Sequence, residues 1–183
     1  MSDLKWEKIS SKYLVKEQWA TLRVDTCRMP NGTLIDDYYV LEYPGWVNAI
    51  AITEDNEVIL IRQYRHGAEE VILELPGGCI DPGELPEEAI KRELLEETGY
   101  AFESFEDLCT LYANPSTSGN ITTSFIARGG RKVQEQHLDG REEIEVLKVS
   151  IAELKALILS NKFPQALHAS AIFYALTRLK EIS

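Results

Sequence analysis

The sequence predicts an α/β fold in which a mixed sheet packs between helices, preceded by a small antiparallel β hairpin subdomain. Apolar segments of strand length, rich in β-branched and aromatic residues, lie on both sides of one strongly acidic helix. Two amphipathic helices follow the last of these segments. A turn signal, Pro30-Asn31-Gly32, separates two strands near the start of the chain. We therefore expect two domains, residues 1–44 and residues 45–183.

Length and charge restrict the class of protein. The 183 residues are enough to bury a core without disulfides, and Cys27, Cys79 and Cys109 form no C-x-x-C pair. No apolar run approaches the length that a membrane span requires. The net charge of −11 argues against a general nucleic-acid or acidic-membrane surface. These features predict a reduced, cytoplasmic protein without a nucleic-acid or membrane partner.

The two predicted N-terminal strands, residues 18–29 and 33–43, carry several aromatic side chains. Trp19 lies on the first strand, and Tyr38 and Tyr39 lie on the second. Packing within the sheet explains most aromatic residues on strands. The alternative is that one or two of these rings stack on a nucleobase, which would make the subdomain part of a binding site.

Three further predicted strands lead to the acidic helix. The second of them ends in a polar tip that carries Arg62 and Arg65, and the third runs through Pro76 into Gly77-Gly78. Glycines at this place allow the backbone to approach a ligand closely. These strands should cover residues 46–53, 58–64 and 71–75.

The acidic helix should cover residues 86–98, because it begins with a proline, which suits a first turn, and is followed by a glycine. Glu93, Glu96 and Glu97 lie near its C-terminal, negative end. Glu93 and Glu97 are spaced i,i+4, so that like charges face each other at a cost in stability. A divalent cation would offset this cost, since Mg²⁺ prefers carboxylate oxygens, water and phosphates. The alternative is a solvated acidic helix end.

After this helix we expect three strands and two helices. A loop at residues 114–120, with many hydrogen-bonding groups, separates the first two strands, and Gly129-Gly130 begins a polar, mobile linker. Ser150 and Glu153 have the spacing of a capping box and should begin the first of the two helices. The strands should cover residues 105–112, 121–127 and 144–149, and the helices should cover residues 151–160 and 166–180.

One pattern in the chain resembles a known family. A glycine, five residues, a glutamate, seven residues, then R-E-L, E-E, a glycine and an aromatic residue match every fixed position of the Nudix box. The matching residues are Gly78, Glu84, Arg92-Glu93-Leu94, Glu96-Glu97, Gly99 and Tyr100. The resemblance to the Nudix hydrolases implies an α/β/α sandwich and extends over residues 46–149.

A narrower resemblance is to the ADP-ribose pyrophosphatase branch of that family. It rests on the N-terminal hairpin, on Gln63-Tyr64-Arg65, and on Pro115, which lies sixteen residues after Gly99. The loop after the box differs from the usual Ser-Pro-Gly version, and the acidic residue often found shortly after it is absent. The branch implies a homodimer in which the N-terminal sheet is exchanged and supplies aromatic residues that sandwich the adenine.

The resemblance also implies a reaction, which is the Mg²⁺-dependent hydrolysis of ADP-ribose to AMP and ribose 5-phosphate, with Mn²⁺ as a possible substitute. Glu93 and Glu97 are the leading metal ligands by this resemblance. Glu96 is a third ligand with a catalytic part, and the Gly77 carbonyl would complete the site. Catalysis of this kind needs neutralisation of phosphate charge and an aligned, partly deprotonated water.

The general base in that branch lies on a loop well after the box. The corresponding place here is residues 140–143, where Glu142 is the first candidate and Glu143 the second. Asp139 stays open as a third, and a solvated charge pair on the linker is the alternative.

Substrate contacts are assigned to four further residues. Arg65 is the candidate for holding a phosphate or terminal ribose, and Arg62 is a secondary one that points elsewhere on a strand of period two. Ser116 and Gly119 belong to the hydrogen-bonding loop. Other functions remain open: hydrolysis of GDP-mannose, of a dinucleotide or of a nucleoside triphosphate, or a catalytically silent ADP-ribose sensor.

Overall fold

The computed structural model describes residues 3–182, which fall into two compact units. One unit contains the chain up to Pro44 together with Tyr112–Ile121, and the other contains Gly45–Leu111 and the chain from Thr122. No helix among the described residues is long and apolar enough to span a membrane. The strands are β1 (Glu7–Glu17), β2 (Ala20–Arg28), β3 (Leu34–Glu42), β4 (Trp46–Thr53), β5 (Glu57–Arg65), β6 (Glu70–Glu74), β7 (Tyr100–Ala101), β8 (Ser104–Tyr112), β9 (Ile121–Lys132) and β10 (Ile144–Ser150). The helices are α1 (Pro86–Thr98), α2 (Ile151–Leu159) and α3 (Ala166–Arg178).

The N-terminal unit is a three-stranded antiparallel sheet in the order β1-β2-β3. The sequence predicted β2 and β3 as a hairpin but did not predict β1. The reason is that every residue of β1 is exposed, so its sequence lacks the apolar alternation that a half-buried strand shows. The loop after β8 joins this unit through a bridge between Leu41 and Ser118.

The second unit is built on a mixed sheet with the order β10-β5-β4-β9-β7. β4 and β9 run parallel, whereas β5 pairs antiparallel with β4, β6 and β10. Strand β4 after Trp46 and the segment Val58–Ile61 of β5 are buried, because helices cover both faces of the sheet. The predicted α/β fold with a mixed sheet is confirmed.

Alternation along β4 separates the two faces. Val47, Ala49 and Ala51 pack with the buried residues of α1, which include Leu94. Ile50 and Ile52 pack with buried residues of α2 and α3. Helix α1 therefore lies on one face of the sheet, and the two C-terminal helices lie on the other.

The segment after Gly129-Gly130 first continues strand β9 and then contacts the end of α1, so the prediction that a linker begins at these glycines was wrong. Strand β9 continues through both glycines to Lys132. The His137 N–H then donates to the Glu96 carbonyl at 2.8 Å, and the Gln136 side chain donates to the Glu97 carbonyl at 2.7 Å. The last carbonyls of a helix lack donors within the helix, and this segment supplies donors for two of them.

Candidate active site

The loop Pro76–Gly78 is held against the edge of β4. Val47 N–H donates to the Gly78 carbonyl at 2.9 Å, and Ala49 N–H donates to the Pro76 carbonyl at 3.1 Å. Gly77 has φ +149°, and a Cβ there would overlap the Val47 carbonyl oxygen and lie 2.7 Å from the Asn48 Cα. Only glycine fits this position, because it tolerates both the backbone angle and the close approach of another strand.

Glu97 is a buried carboxylate that faces this loop. Its residue is 5% exposed, and one of its carboxylate oxygens accepts the Gly77 N–H at 2.8 Å. Burial raises the pKa of Glu97 well above its usual value. The hydrogen bond from Gly77 and the charge of Arg65 lower this pKa, whereas the negative charges of Glu93 and Glu142 raise it. The charged form of Glu97 is therefore disfavoured here, because the neighbouring donors compensate its negative charge only in part.

Arg92 joins the carboxylate of Glu84, which precedes α1, to two carboxylates of α1. Its guanidinium donates to both oxygens of Glu84 at 2.9 Å, to one oxygen of Glu93 at 2.8 Å and to one oxygen of Glu96 at 3.2 Å. It also donates to the Cys79 carbonyl at 2.9 Å. This planar group fixes three side chains at once, and its hydrogen bonds hold the pKa of Glu84 below the usual range.

Glu93 lies between Arg92 and the glycine loop. Burial raises the pKa of Glu93, Arg92 lowers it, and the negative charges of Glu96 and Glu142 raise it again. A Cβ on Gly78 would lie 2.6 Å from one Glu93 carboxylate oxygen, so the glycine leaves the space that this carboxylate occupies. The second glycine of the loop thus admits a charged side chain.

The loop that carries the predicted general base reaches the same region. Glu142, Glu143 and Asp139 are all exposed. The negative charge of Glu142 contributes to the raised pKa of both Glu93 and Glu97, so its electrostatic effect reaches the carboxylates of α1. This electrostatic effect supports Glu142 as a candidate in addition to its position in the sequence.

The donor set suits a divalent cation. Carboxylate oxygens are the ligands that Mg²⁺ prefers, and a cation would stabilise the charged forms of Glu93 and Glu97, which burial disfavours. Within residues 3–182, no three His, Cys, Asp or Glu side chains are already gathered as a metal-binding group. Arg92 holds Glu93 and Glu96 by one oxygen each, so binding would involve rotation of these side chains.

The two arginines of β5 have different surroundings. Arg65 donates to the buried carboxylate of Glu74 at 2.9 Å, and Gln63 donates to the same oxygen at 3.0 Å. The charge of Arg65 also lowers the pKa of Glu97, so its positive field reaches the carboxylate site. Arg62 instead pairs with Glu145 on the surface at 2.9 Å.

The N-terminal unit has its own cavity, of about 380 Å³. The Tyr38 hydroxyl donates to the Ser116 carbonyl at 2.8 Å, and Trp6 packs edge-on against Tyr38 with ring centroids 5.9 Å apart. Ser116 and Gly119 contribute to the wall, so the structure brings Tyr38 and these two loop residues together. The remaining wall residues that carry charge are Lys8, Arg23 and Asp25.

Two aromatic residues that the sequence suggested do not line this cavity. Trp19 is 67% exposed and lies at the turn after β1, and Tyr39 is 54% exposed. Trp6 lines the cavity but was not among the predicted residues. The sequence signal of Trp6 is an aromatic ring in a charged N-terminal segment. Its place in the cavity wall can be recognised only once β1 is known to pair with β2.

Two family models match the chain. The model described as "NUDIX domain" matches residues 43–169, and the model described as "Nucleoside diphosphate sugar hydrolase N-terminal domain" matches residues 6–41. The second match begins at Trp6 and covers all three strands of the N-terminal sheet except the end of β3.

Two curated relatives are similar over almost their whole length. The chain is 30% identical over 182 residues to "ADP-ribose pyrophosphatase" of Bacillus subtilis (strain 168), which covers 99% of this chain and 97% of the relative. It is 31% identical to "Methanol dehydrogenase activator" of Bacillus methanolicus, covering 93% of this chain and 90% of that protein. Among solved structures, "Crystal structure of ADP compounds hydrolase" has a TM-score of 0.86 and 26% identity, covering 99% of this chain and 97% of that one.

Proposed function

Since the chain belongs to the Nudix family and is a hydrolase acting on pyrophosphate bonds, we propose that it cleaves ADP-ribose to AMP and ribose 5-phosphate with Mg²⁺. The observation that carries the proposal is the buried Glu97 carboxylate, held by Gly77 N–H beside Glu93. The near-full-length similarity to an ADP-ribose pyrophosphatase supports the choice of substrate. Mn²⁺ would substitute, because it accepts the same oxygen ligands.

In the proposed site, Glu93 and Glu97 would hold the cation, with Glu96 as a third ligand and the Gly77 carbonyl as a fourth. When bound, the cation neutralises phosphate charge and makes a bound water more acidic. Arg92 holds one oxygen of Glu93 and one of Glu96, so it would restrain both side chains as they rotate onto the cation. Arg65, braced by Glu74, adds positive charge for the diphosphate.

The remaining step is removal of a proton from the attacking water. We assign this role to Glu142, whose charge acts on both Glu93 and Glu97. Glu143 is its neighbour in the chain and the second candidate. With the proton transferred to a carboxylate, the water oxygen attacks one phosphorus of the diphosphate, and the other phosphate leaves.

A substrate panel tests the proposal. We expect purified protein to release AMP from ADP-ribose with Mg²⁺ and to lose this activity when EDTA removes the metal, because the carboxylates alone cannot neutralise the phosphates. Product identification by chromatography should show AMP and ribose 5-phosphate. GDP-mannose, a dinucleotide and nucleoside triphosphates serve as competing substrates, and turnover confined to the triphosphates would overturn the choice of substrate.

A second candidate function is control of a partner enzyme. The similarity to a protein named methanol dehydrogenase activator favours it, and a catalytically silent ADP-ribose sensor would belong to the same class. Saturable binding of ADP-ribose without metal-stimulated hydrolysis would support this candidate over the first.

The cavity of the N-terminal unit is the proposed nucleobase contact. Replacing Tyr38 by alanine should raise KM for ADP-ribose about tenfold with little change in kcat, because one base–aromatic stack contributes about 1–3 kcal/mol. The Tyr39→Ala variant tests the neighbouring tyrosine, which lies outside the cavity. An equal rise of KM in both variants would contradict the assignment of the cavity.

We further propose that residues 1–44 form a dimerisation subdomain and that residues 45–183 carry the chemistry. The exposed apolar side chains of β1, among them Leu14 and Val15, motivate the dimer. Sedimentation equilibrium should give twice the mass of the 20.7 kDa chain. A monomer that still binds nucleotide tightly would contradict a shared site.

A further inference from the structure

A buried histidine in the first turn of α3 makes a hydrogen bond to the chain that leads into the glycine loop. His168 is 8% exposed, and its Nδ1 accepts the Leu75 backbone N–H at 3.1 Å. Its own backbone N–H donates to the side chain of Gln165, the N-cap of α3, at 2.9 Å. His168 is thus held at its backbone N–H and at one ring nitrogen.

Leu75 needs a partner at this place. It is completely buried, and it follows the last pair of the β5–β6 ladder, Ile61 with Glu74. Its N–H therefore lies beyond the strand pairing, where a buried donor without an acceptor is costly. The next residue is Pro76, which has no N–H and restricts Leu75 to extended backbone.

We propose that His168 is a positioning residue for the carboxylate site, acting from the opposite face of the sheet through Leu75 on the loop Pro76–Gly78. The loop has a fixed point at each end. Ala49 and Val47 hold the Pro76 and Gly78 carbonyls, and His168 holds the strand end just before them. Between these points the Gly77 N–H meets Glu97 at 2.8 Å.

The chemistry of the ring suits this role. Because Nδ1 accepts, the proton of the neutral ring lies on Nε2. Burial lowers the pKa of His168 to about 3, with Arg65 acting in the same direction. The ring therefore stays an acceptor under assay conditions, and the contact to Leu75 does not depend on metal or substrate.

Two substitutions separate this role from simple packing. Asparagine places Oδ1 where histidine places Nδ1, so His168→Asn keeps an acceptor for Leu75, whereas His168→Leu fills similar space without one. We expect the leucine variant to bind Mn²⁺ about 10–100-fold more weakly and to lose kcat by a similar factor, as losses of orienting partners do. The asparagine variant should stay close to the unmodified protein in both, which is rescue by the conservative change.

The unmodified protein provides a readout that needs no metal and no variant. An N–H···N hydrogen bond should give a measurable 15N–15N coupling between the Leu75 amide and His168 Nδ1, and the Leu75 amide should exchange slowly. Absence of the coupling would overturn the proposal, even if the leucine variant failed to fold. Equal Mn²⁺ affinity and kcat in the leucine variant and the unmodified protein, or equal losses in both variants, would also overturn it.

The proposal rests on the proposed function, but the two fail differently. If the unmodified protein neither binds Mn²⁺ nor hydrolyses a pyrophosphate, the proposed function fails. If it does both, and His168→Leu leaves them unchanged, the positioning role alone fails.

Discussion

Glu97→Gln should reduce pyrophosphate hydrolysis at least about a hundredfold while the protein stays folded, the size expected when a charged group is lost beside developing charge. Glutamine keeps an oxygen that can accept the Gly77 N–H, and it keeps the volume of the buried side chain. It removes only the negative charge, which the cation requires. Steady-state kinetics with Mg²⁺, together with circular dichroism, would measure both parts of the prediction.

Glu87→Gln is the matched control. It makes the same substitution on the same helix, at an exposed residue of the first turn that pairs with Lys91. We expect it to leave kcat unchanged. A near-normal rate for Glu97→Gln would mean that the cation binds elsewhere.

The raised pKa of Glu97 also predicts the sign of a stability effect in the metal-free protein. The folded state binds the Glu97 proton more tightly than the unfolded state, so stability falls as pH rises above the usual carboxylate value of 4.5. Glu97→Gln removes this loss. The variant should therefore melt at a higher temperature than the unmodified protein at mildly alkaline pH, and the difference should shrink toward about pH 4.

Local signals explain which elements the sequence predicted well. Helix α1 has the predicted bounds because Pro86 begins it and Gly99, with φ +76°, ends it in the left-handed region. β4 was predicted with equal accuracy from its continuous apolar run. β1 lacked such a signal, since its order comes from pairing with β2 and not from burial.

The candidate site was predictable only where its residues are close in the chain. The spacing of Glu93, Glu96 and Glu97 predicts a cation site at the C-terminal end of α1 without any tertiary information. The contact between Leu75 and His168 joins residues 93 positions apart, and no motif marks it. The conformation of the chain after Gly130 depends on an equally non-local contact, because residues of this segment donate hydrogen bonds to the last carbonyls of α1.

The general base can be tested by substituting two neighbouring residues, because the two variants have opposite expected effects on the rate. Glu142→Gln should lower kcat by about a hundredfold or more, because a positioned base typically contributes about 10²–10⁴-fold. Glu142 is the residue chosen for this test because its negative charge contributes to the raised pKa of both Glu93 and Glu97. KM should change little, since substrate and metal ligands stay in place. Raising the pH should partly restore the rate, because hydroxide replaces the missing base.

Glu143→Gln is the comparison that makes this test sharp, because it removes the same charge one residue away on the same exposed segment. We expect it to keep nearly full activity. A loss confined to Glu143→Gln would transfer the role to that residue, and full activity in both variants would direct the search to Asp139. Equal losses in both would indicate that the loop acts through its total charge on the carboxylates of α1 and not through one proton acceptor.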